Sequence, residues 1–517
     1  MPRAAYSVRR HRRAGATLAV PPCPLPPDAP RHPEGDDMKN DLPELAPQAQ
    51  PSIDALDTLL REQRAAYLRA PYPAWETRAR HLRALRTMLI DHADALADAI
   101  SADFGHRSKQ EVLLAEIWMA KEEIDDALRH GKRWMKPMRK PMNKWLRPAR
   151  AKVIPQPLGV VGIVAPWNYP VLLAAGPLVC ALAAGNRAMI KMSELTPRTA
   201  ALFEQLIATT FARDHVAVVN GDAQVGAAFS ALPFDHLLFT GSTQVGRHVM
   251  RAAADNLTPV TLELGGKSPA IIGPNARFDA AVDAIVAGKT LNAGQTCIAP
   301  DYVLLPRGME AAFIERARAR FATLYPDLQN NGDYTTIVSD RHFARLQQLA
   351  SDAQAAGAQL HALSDAVSDP ASRRFVPCAL THVPASAQVM HEEIFGPLLP
   401  LVPYERLDEA IAYVNARPRP LALYLFDEDA GTIERVMHET ISGGVTVNET
   451  LMHIACGSLP FGGVGASGMG AYHGYDGFVT FSKMKPVVMQ PRINLRGLIA
   501  PPYGKRFAAV IKLMLKF

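Results

Sequence analysis

The stretch LNAGQTCIAP, residues 291–300, sets one cysteine, Cys297, among small and polar neighbours. A thiolate is a strong nucleophile and a fair leaving group, so a cysteine so placed can form and release an acyl intermediate. A lone cysteine is also a common core filler. Asn168, in VAPWNYP, lies just past an apolar run. Its amide can donate to a developing oxyanion, or it can close an Asx turn. Glu263, in TLELGGKSP, ends another apolar run before Gly265–Gly266. Desolvation there raises a carboxylate's pKa and suits a general base; the alternative is a hydrogen-bonded structural acid. In HLLFTGSTQVG an apolar run ends at Gly241–Ser242 and a helix begins at once, with Gly246 on its first turns. The orphan N–H groups and positive dipole of such a helix start face a pyrophosphate. In IKMSE, Lys191 can meet adenosine phosphate or ribose and Glu194 can accept ribose hydroxyls, or the two form a solvent-exposed pair.

Residues of these types act together only if the elements beneath them converge. From Ile53 to Lys140 the chain has the pattern of long amphipathic helices. After that, short apolar runs alternate with helical patterns: 159–166, 187–192, 216–219, 236–240 and 259–264. Gly185–Asn186 close one helix, Thr196–Pro197 open the next as N-cap and N1, and Asp222 opens another. The alternation predicts an α/β protein with a doubly wound parallel sheet that binds its ligand at the strand C-termini. Asn168, Gly241–Ser242 and Glu263 all fall there. Beyond Lys267 the alternation resumes, which predicts a second α/β domain. A second glycine pattern, GVGASG at 463–468, matches G-x-G-x-x-G but follows no strand and opens no helix. It reads as flexible loop within an irregular segment, 459–477.

With 517 residues, 48% hydrophobic and 21% charged, the chain has the composition of a globular protein of two or three domains. A net charge of +6, with acids and bases dispersed, gives no nucleic-acid stripe. Five widely spaced cysteines without a C-x-x-C suggest neither a disulfide framework nor a zinc site, and suit the cytoplasm. No run approaches the roughly 20 apolar residues of a membrane span. The Arg- and Pro-rich start reads as a disordered tail or as sequence ahead of a true start at Met38, with a weak hint of an export signal in its arginine pair. The C-terminal KRFAAVIKLMLKF can form one amphipathic helix, suited to docking on the protein or on a second subunit.

Taken together, PWNYP, FTGSTQVG, LELGGKSP, GQTCIAP and EEIFGP resemble the aldehyde dehydrogenase superfamily over residues 53 to 490. DFGHRS, GQTCIAPDY and LPFGGVGASGMGAYHG most resemble its coniferyl aldehyde dehydrogenases, a class-3-like branch. The resemblance implies that Cys297 is the nucleophile and Glu263 the general base. Asn168 with the Cys297 N–H would hold the oxyanion. It further implies NAD, or NADP, held by Lys191, Glu194, Gly241, Ser242 and Gly246, with Glu393 and Phe395 positioning the nicotinamide ribose and ring. No metal is implied. The implied reaction is oxidation of an aromatic, coniferaldehyde-like or medium-chain aldehyde to its acid through a thiohemiacetal and thioester. Alternatives are a CoA-acylating relative, against which Glu263 argues, and a cofactor-free cysteine thioesterase or esterase, which leaves Lys191 and Gly241 without a role. Tyr169, Trp118 and the loop around His453 are candidates for shaping the aldehyde pocket. The implied domains are a tail (1–50), a cofactor-binding domain (51–142 and 157–265), a catalytic domain (266–457), a β oligomerisation flap of a homodimer (143–156 and 470–490) and a C-terminal tail (491–517).

Overall fold

The computed structural model of the protein describes residues 51–492, 494 and 500–516. The expected N-terminal tail, 1–50, lies outside the described residues. Of the N-terminal helices, Ile53–Arg69 packs Leu56, Leu59 and Leu60 into one of the two cores flanking the first sheet, while Trp75–Asp91, Ala93–Phe104 and Met119–Trp134 pack into the other. The expected helical stretch stops at Trp134, because Pro137 and Pro141 bracket Met138–Lys140 and leave it as a short strand.

The first sheet is built outward from Val160–Val164. Arg187–Lys191 and then Val216–Val219 lie on one side, His236–Gly241 and then Val260–Leu264 on the other, all parallel. Along these strands side chains alternate between two cores: Val161, Ile163 and Ile190 enter one, Val160, Met189 and Phe239 the other. Burial on both faces is why the strands read as continuous apolar runs. Strand order reverses at Val160–Val164, so the loops after it and after His236–Gly241 open onto one crevice, where doubly wound sheets bind ligands.

Two local expectations change. Helix Pro197–Thr210 does follow Thr196, but the Thr196 hydroxyl caps nothing. The Asp103 carboxylate does so instead, accepting from the N–H groups of Arg198 and Thr199 at 3.0 and 2.8 Å. A charged acceptor at a helix start also complements the dipole. The segment 459–477 is not a free loop. Its Gly468–Met469 adds an antiparallel strand to the first sheet, Gly468 opposite Glu263. Gly468 has φ +148, and a Cβ there would lie 2.1 Å from the Leu262 oxygen, so only glycine fits.

A second sheet runs in the order Gln359–Ala362, Cys378–Thr381, Leu398–Tyr404, Tyr302–Pro306, Pro269–Ile272, Ala422–Phe426, Gly444–Val447. Its first pair is antiparallel and the remainder parallel. A small antiparallel sheet joins Met138–Lys140, Arg150–Pro157 and Ser482–Met489. Within the C-terminal tail, Lys505–Met514 is helical. Among the described residues no helix is long and apolar enough to cross a membrane.

Candidate active site

Helix Phe278–Thr290 ends in an unusual turn. Asn292, Ala293 and Gly294 take successive positive φ values of 49°, 50° and 76°. The fully buried Gln295 holds this turn, its amide donating to the oxygens of Asn292 and Thr336 and accepting from Val338 N–H. Cys297 emerges from it as a free thiol. Burial, and then the charges of Glu393 and Glu263, push the thiol up to about 12, while the N–H groups of Cys297 and Ile298 draw it back. Glu263, expected as the general base, and Glu393, expected at the nicotinamide ribose, are thus both close enough to be felt by it.

Asn168 follows the central strand and is 3% exposed. Its Nδ2 donates to Gln295 O at 3.2 Å, which ties it to the nucleophile turn and leaves its second hydrogen for a ligand. Next to it, Tyr169 shares a 2.8 Å hydrogen bond with Thr296. Glu263 is equally buried, and neither of its oxygens has a hydrogen-bond partner among the described residues. Desolvation holds its carboxyl well above the usual range.

On the crevice side, register places Glu263 beside Thr240 and Leu264 beside Gly241. Ser242 is the N-cap of helix Thr243–Ala254, its hydroxyl accepting from Val245 N–H. A Cβ on Gly246 would come within 2.6 Å of Leu264 Cδ2, so glycine lets this helix start lie close against the strand end. Lys191 is buried, donates to Met192 O at 2.6 Å and stands 3.8 Å from the half-exposed Glu194. Glu393 rests on the Gly265 backbone, and its Oε1 has no partner among the described residues. Burial and Asp301 push its carboxyl up to about 8. Phe395 takes a left-handed φ of 51° and meets Trp167 edge-on, ring centres 5.3 Å apart. These residues fit a dinucleotide. Ser242 takes only the Val245 N–H, so the helix start keeps further orphan donors for phosphate, and the orphaned Glu393 oxygen is a ready acceptor for ribose hydroxyls.

Of the pocket candidates, Trp118 lines a cavity of about 270 Å³ together with Met119, Glu123, Asp126, Ile454 and Cys456. His453 does not line it. Its ring is bonded to Thr446 and stacked on Phe461, the neighbouring loop supplying the cavity wall instead. Tyr472, pushed up by burial and by Glu123, Glu263 and Cys297, stands within reach of all three.

Three residues escaped the sequence reading. Arg107, Glu111 and Glu116 form a buried ion triad beneath the Asn168 and Cys297 turns. Their spacing is the available signal. Residues five apart diverge by about 140° on a regular α-helix, but the turn Leu113–Trp118 is a π-helix. Its i→i+5 pattern brings Glu111 and Glu116 to the same guanidinium.

Residues 52–487 match the model of the aldehyde dehydrogenase family. The chain is 52% identical to a Pseudomonas aeruginosa protein named "Probable coniferyl aldehyde dehydrogenase", over 90% of this chain and 97% of that one. Among solved structures, the substrate-bound state of Staphylococcus aureus AldH superposes with a TM-score of 0.84 at 38% identity, covering 89% of this chain and 99% of that one. A betaine aldehyde dehydrogenase variant from Staphylococcus aureus, in complex with NAD+, gives 0.78 at 27% identity, covering 88% and 93%.

Proposed function

The chain belongs to the aldehyde dehydrogenase family, and from that premise we propose how its own residues carry the reaction. The enzyme oxidises an aldehyde to the carboxylic acid with NAD(P)+. The observation that carries the assignment is the free Cys297 thiol within electrostatic reach of an unpartnered buried carboxylate, Glu263. The Cys297 sulfur attacks the carbonyl carbon as its proton passes to water, and the thiohemiacetal forms. Asn168 Nδ2 and the Cys297 N–H hold the oxygen that becomes negative. When bound, the nicotinamide supplies the two-electron oxidation. Gly241, Ser242 and Gly246 at the helix start, with Lys191 and Glu194 beyond them, hold the phosphates and adenosine. Glu393 holds the nicotinamide ribose and Phe395 packs its ring. Glu263 then takes a proton from the water that cleaves the Cys297 thioester, and the acid leaves. A CoA-acylating enzyme needs no such base.

We infer an aromatic, coniferaldehyde-like substrate. The named relative supports it. We infer a homodimer through the small antiparallel sheet, whose edge strand Ser482–Met489 exposes Val488 and Met489. The cofactor-binding domain would be 51–142 with 157–265, and the catalytic domain 266–457. A cytoplasmic location accords with a thiol that must stay reduced.

The test mixes purified protein with NAD+ and a panel of aldehydes, and follows NADH absorbance. NADH with coniferaldehyde, and none from Cys297→Ala, is expected. Full activity in Cys297→Ala removes the assignment. Adding CoA and identifying the product as acid or acyl-CoA separates the hydrolytic from the acylating reaction.

A further inference from the structure

Arg107 is a fully buried guanidinium. Its Nε donates to Glu111 Oε1 at 2.9 Å, and its Nη1 to Glu116 Oε1 at 3.0 Å and to the main-chain oxygen of Asn168 at 2.8 Å. It also lies over the Tyr169 ring, 4.6 Å from the centroid. Glu116 uses its other oxygen to accept from Val171 and Leu172 N–H, at the start of the helix that follows Asn168. Glu111 uses its other oxygen to accept from Asn292 N–H at 2.9 Å. The Asn292 amide closes the circuit, donating to Asn168 O at 3.0 Å and to Gln295 O at 3.1 Å.

Stability alone is a poor reason for this arrangement. Two buried carboxylates and one cation are costly to desolvate, and well-packed apolar residues commonly serve a fold as well. Arg107 Nη2 has no partner among the described residues, so the guanidinium is not even saturated. What the triad does achieve is specific. Every branch of it ends on the turn bearing Asn168 or the turn bearing Cys297.

We propose that Arg107 is a positioning residue, fixing the Asn168 amide and the Cys297 main-chain donor in the arrangement that binds the transition-state oxyanion. The proposal rests on the assignment of Asn168 and Cys297 made above. A donor must already be in place when charge develops, and misplacement by a fraction of an ångström lowers turnover without weakening substrate binding.

Arg107→Lys keeps the charge and removes the fork that bridges both glutamates and Asn168. We expect kcat for aldehyde oxidation to fall about 10- to 100-fold, with the aldehyde KM and the NAD+ dissociation constant changing less than about threefold. The decisive measurement is a double-mutant cycle with Asn168→Ala. In that background Arg107→Lys is expected to lower kcat clearly less than it does in the wild type, because Asn168, one of the two donors it positions, is gone and only the Cys297 main-chain donor is left to misplace. Losses that multiply fully, or a loss confined to NAD+ affinity, overturn the proposal while leaving Asn168 in its role. An Asn168→Ala enzyme with undiminished kcat overturns the assignment of Asn168 and this proposal with it. Should Arg107→Lys not fold, Glu111→Gln, which neutralises the ion pair with Arg107 and weakens the branch to Asn292, supports the same cycle with an expected three- to tenfold loss, about what partial misplacement gives.

Discussion

Glu263 and Glu116 are both buried carboxylates that desolvation holds above the ordinary glutamate range. Their surroundings differ completely. Glu116 accepts from Arg107, Val171 and Leu172. Neither oxygen of Glu263 has a hydrogen-bond partner among the described residues. An unpartnered buried polar group destabilises a fold, so it persists where its reactivity is needed. A fully engaged one holds its neighbours in place. The contrast therefore separates a group kept free to take a proton from a group committed to shaping a loop.

Substitution should split the pair along that line. Glu263→Gln should lower kcat by about 10²- to 10⁴-fold while leaving the unfolding free energy within about 1 kcal/mol. Glu116→Ala should do the reverse in its first effect, reducing stability by about 3–5 kcal/mol because Arg107 is left partly uncompensated. Steady-state kinetics beside urea unfolding on both variants checks this. A Glu263→Gln enzyme that turns over normally breaks the comparison.

A smaller effect lies in the pH profile. Glu263 accepts a proton only when ionised, and burial raises the pH at which it ionises. In the wild type, kcat should therefore climb with pH through a value well above the glutamate norm. In Glu263→Gln the climb should vanish. A wild-type profile already level by about pH 5 assigns the base elsewhere.

The two glutamates also mark what a sequence can reveal. Glu263 sits at the end of an apolar strand before two glycines, and Asn168 and Gly241 end neighbouring strands, so local pattern placed all three in one crevice. The parallel sheet was legible for the same reason. Arg107 was not. Its role depends on partners 61 and 9 residues away and on a π turn that changes the helical phase, none of which periodicity exposes. Glu393 was reached only through the resemblance carried by EEIFGP, since its physical meaning comes from contact with the Gly265 backbone, far away in the chain. The loop 459–477 misled because glycines suited to flexibility are equally suited to backbone contact, as Gly468 against Leu262 shows.

Glu123 stands between the two extremes and gives the finest test. One oxygen lies 3.1 Å from His473 Nε2, and the other has no partner among the described residues. By distance the pair resembles a salt bridge. Burial argues otherwise, pushing Glu123 up to about 8 and His473 down to about 3, so both are neutral at pH 6. A carboxyl whose folded pKa is raised contributes stability that is fully present below its unfolded pKa, about 4.5, and lost as pH rises through about 8. Gln, the shape of a protonated Glu, does not titrate. Glu123→Gln should therefore be nearly neutral toward stability at pH 4, and should become the more stable protein by pH 8.5. Urea unfolding of both proteins at the two pH values reads this directly. A wild-type advantage that stays constant or grows between them means the pair is ionised, and would move Glu123 to the side of Glu116.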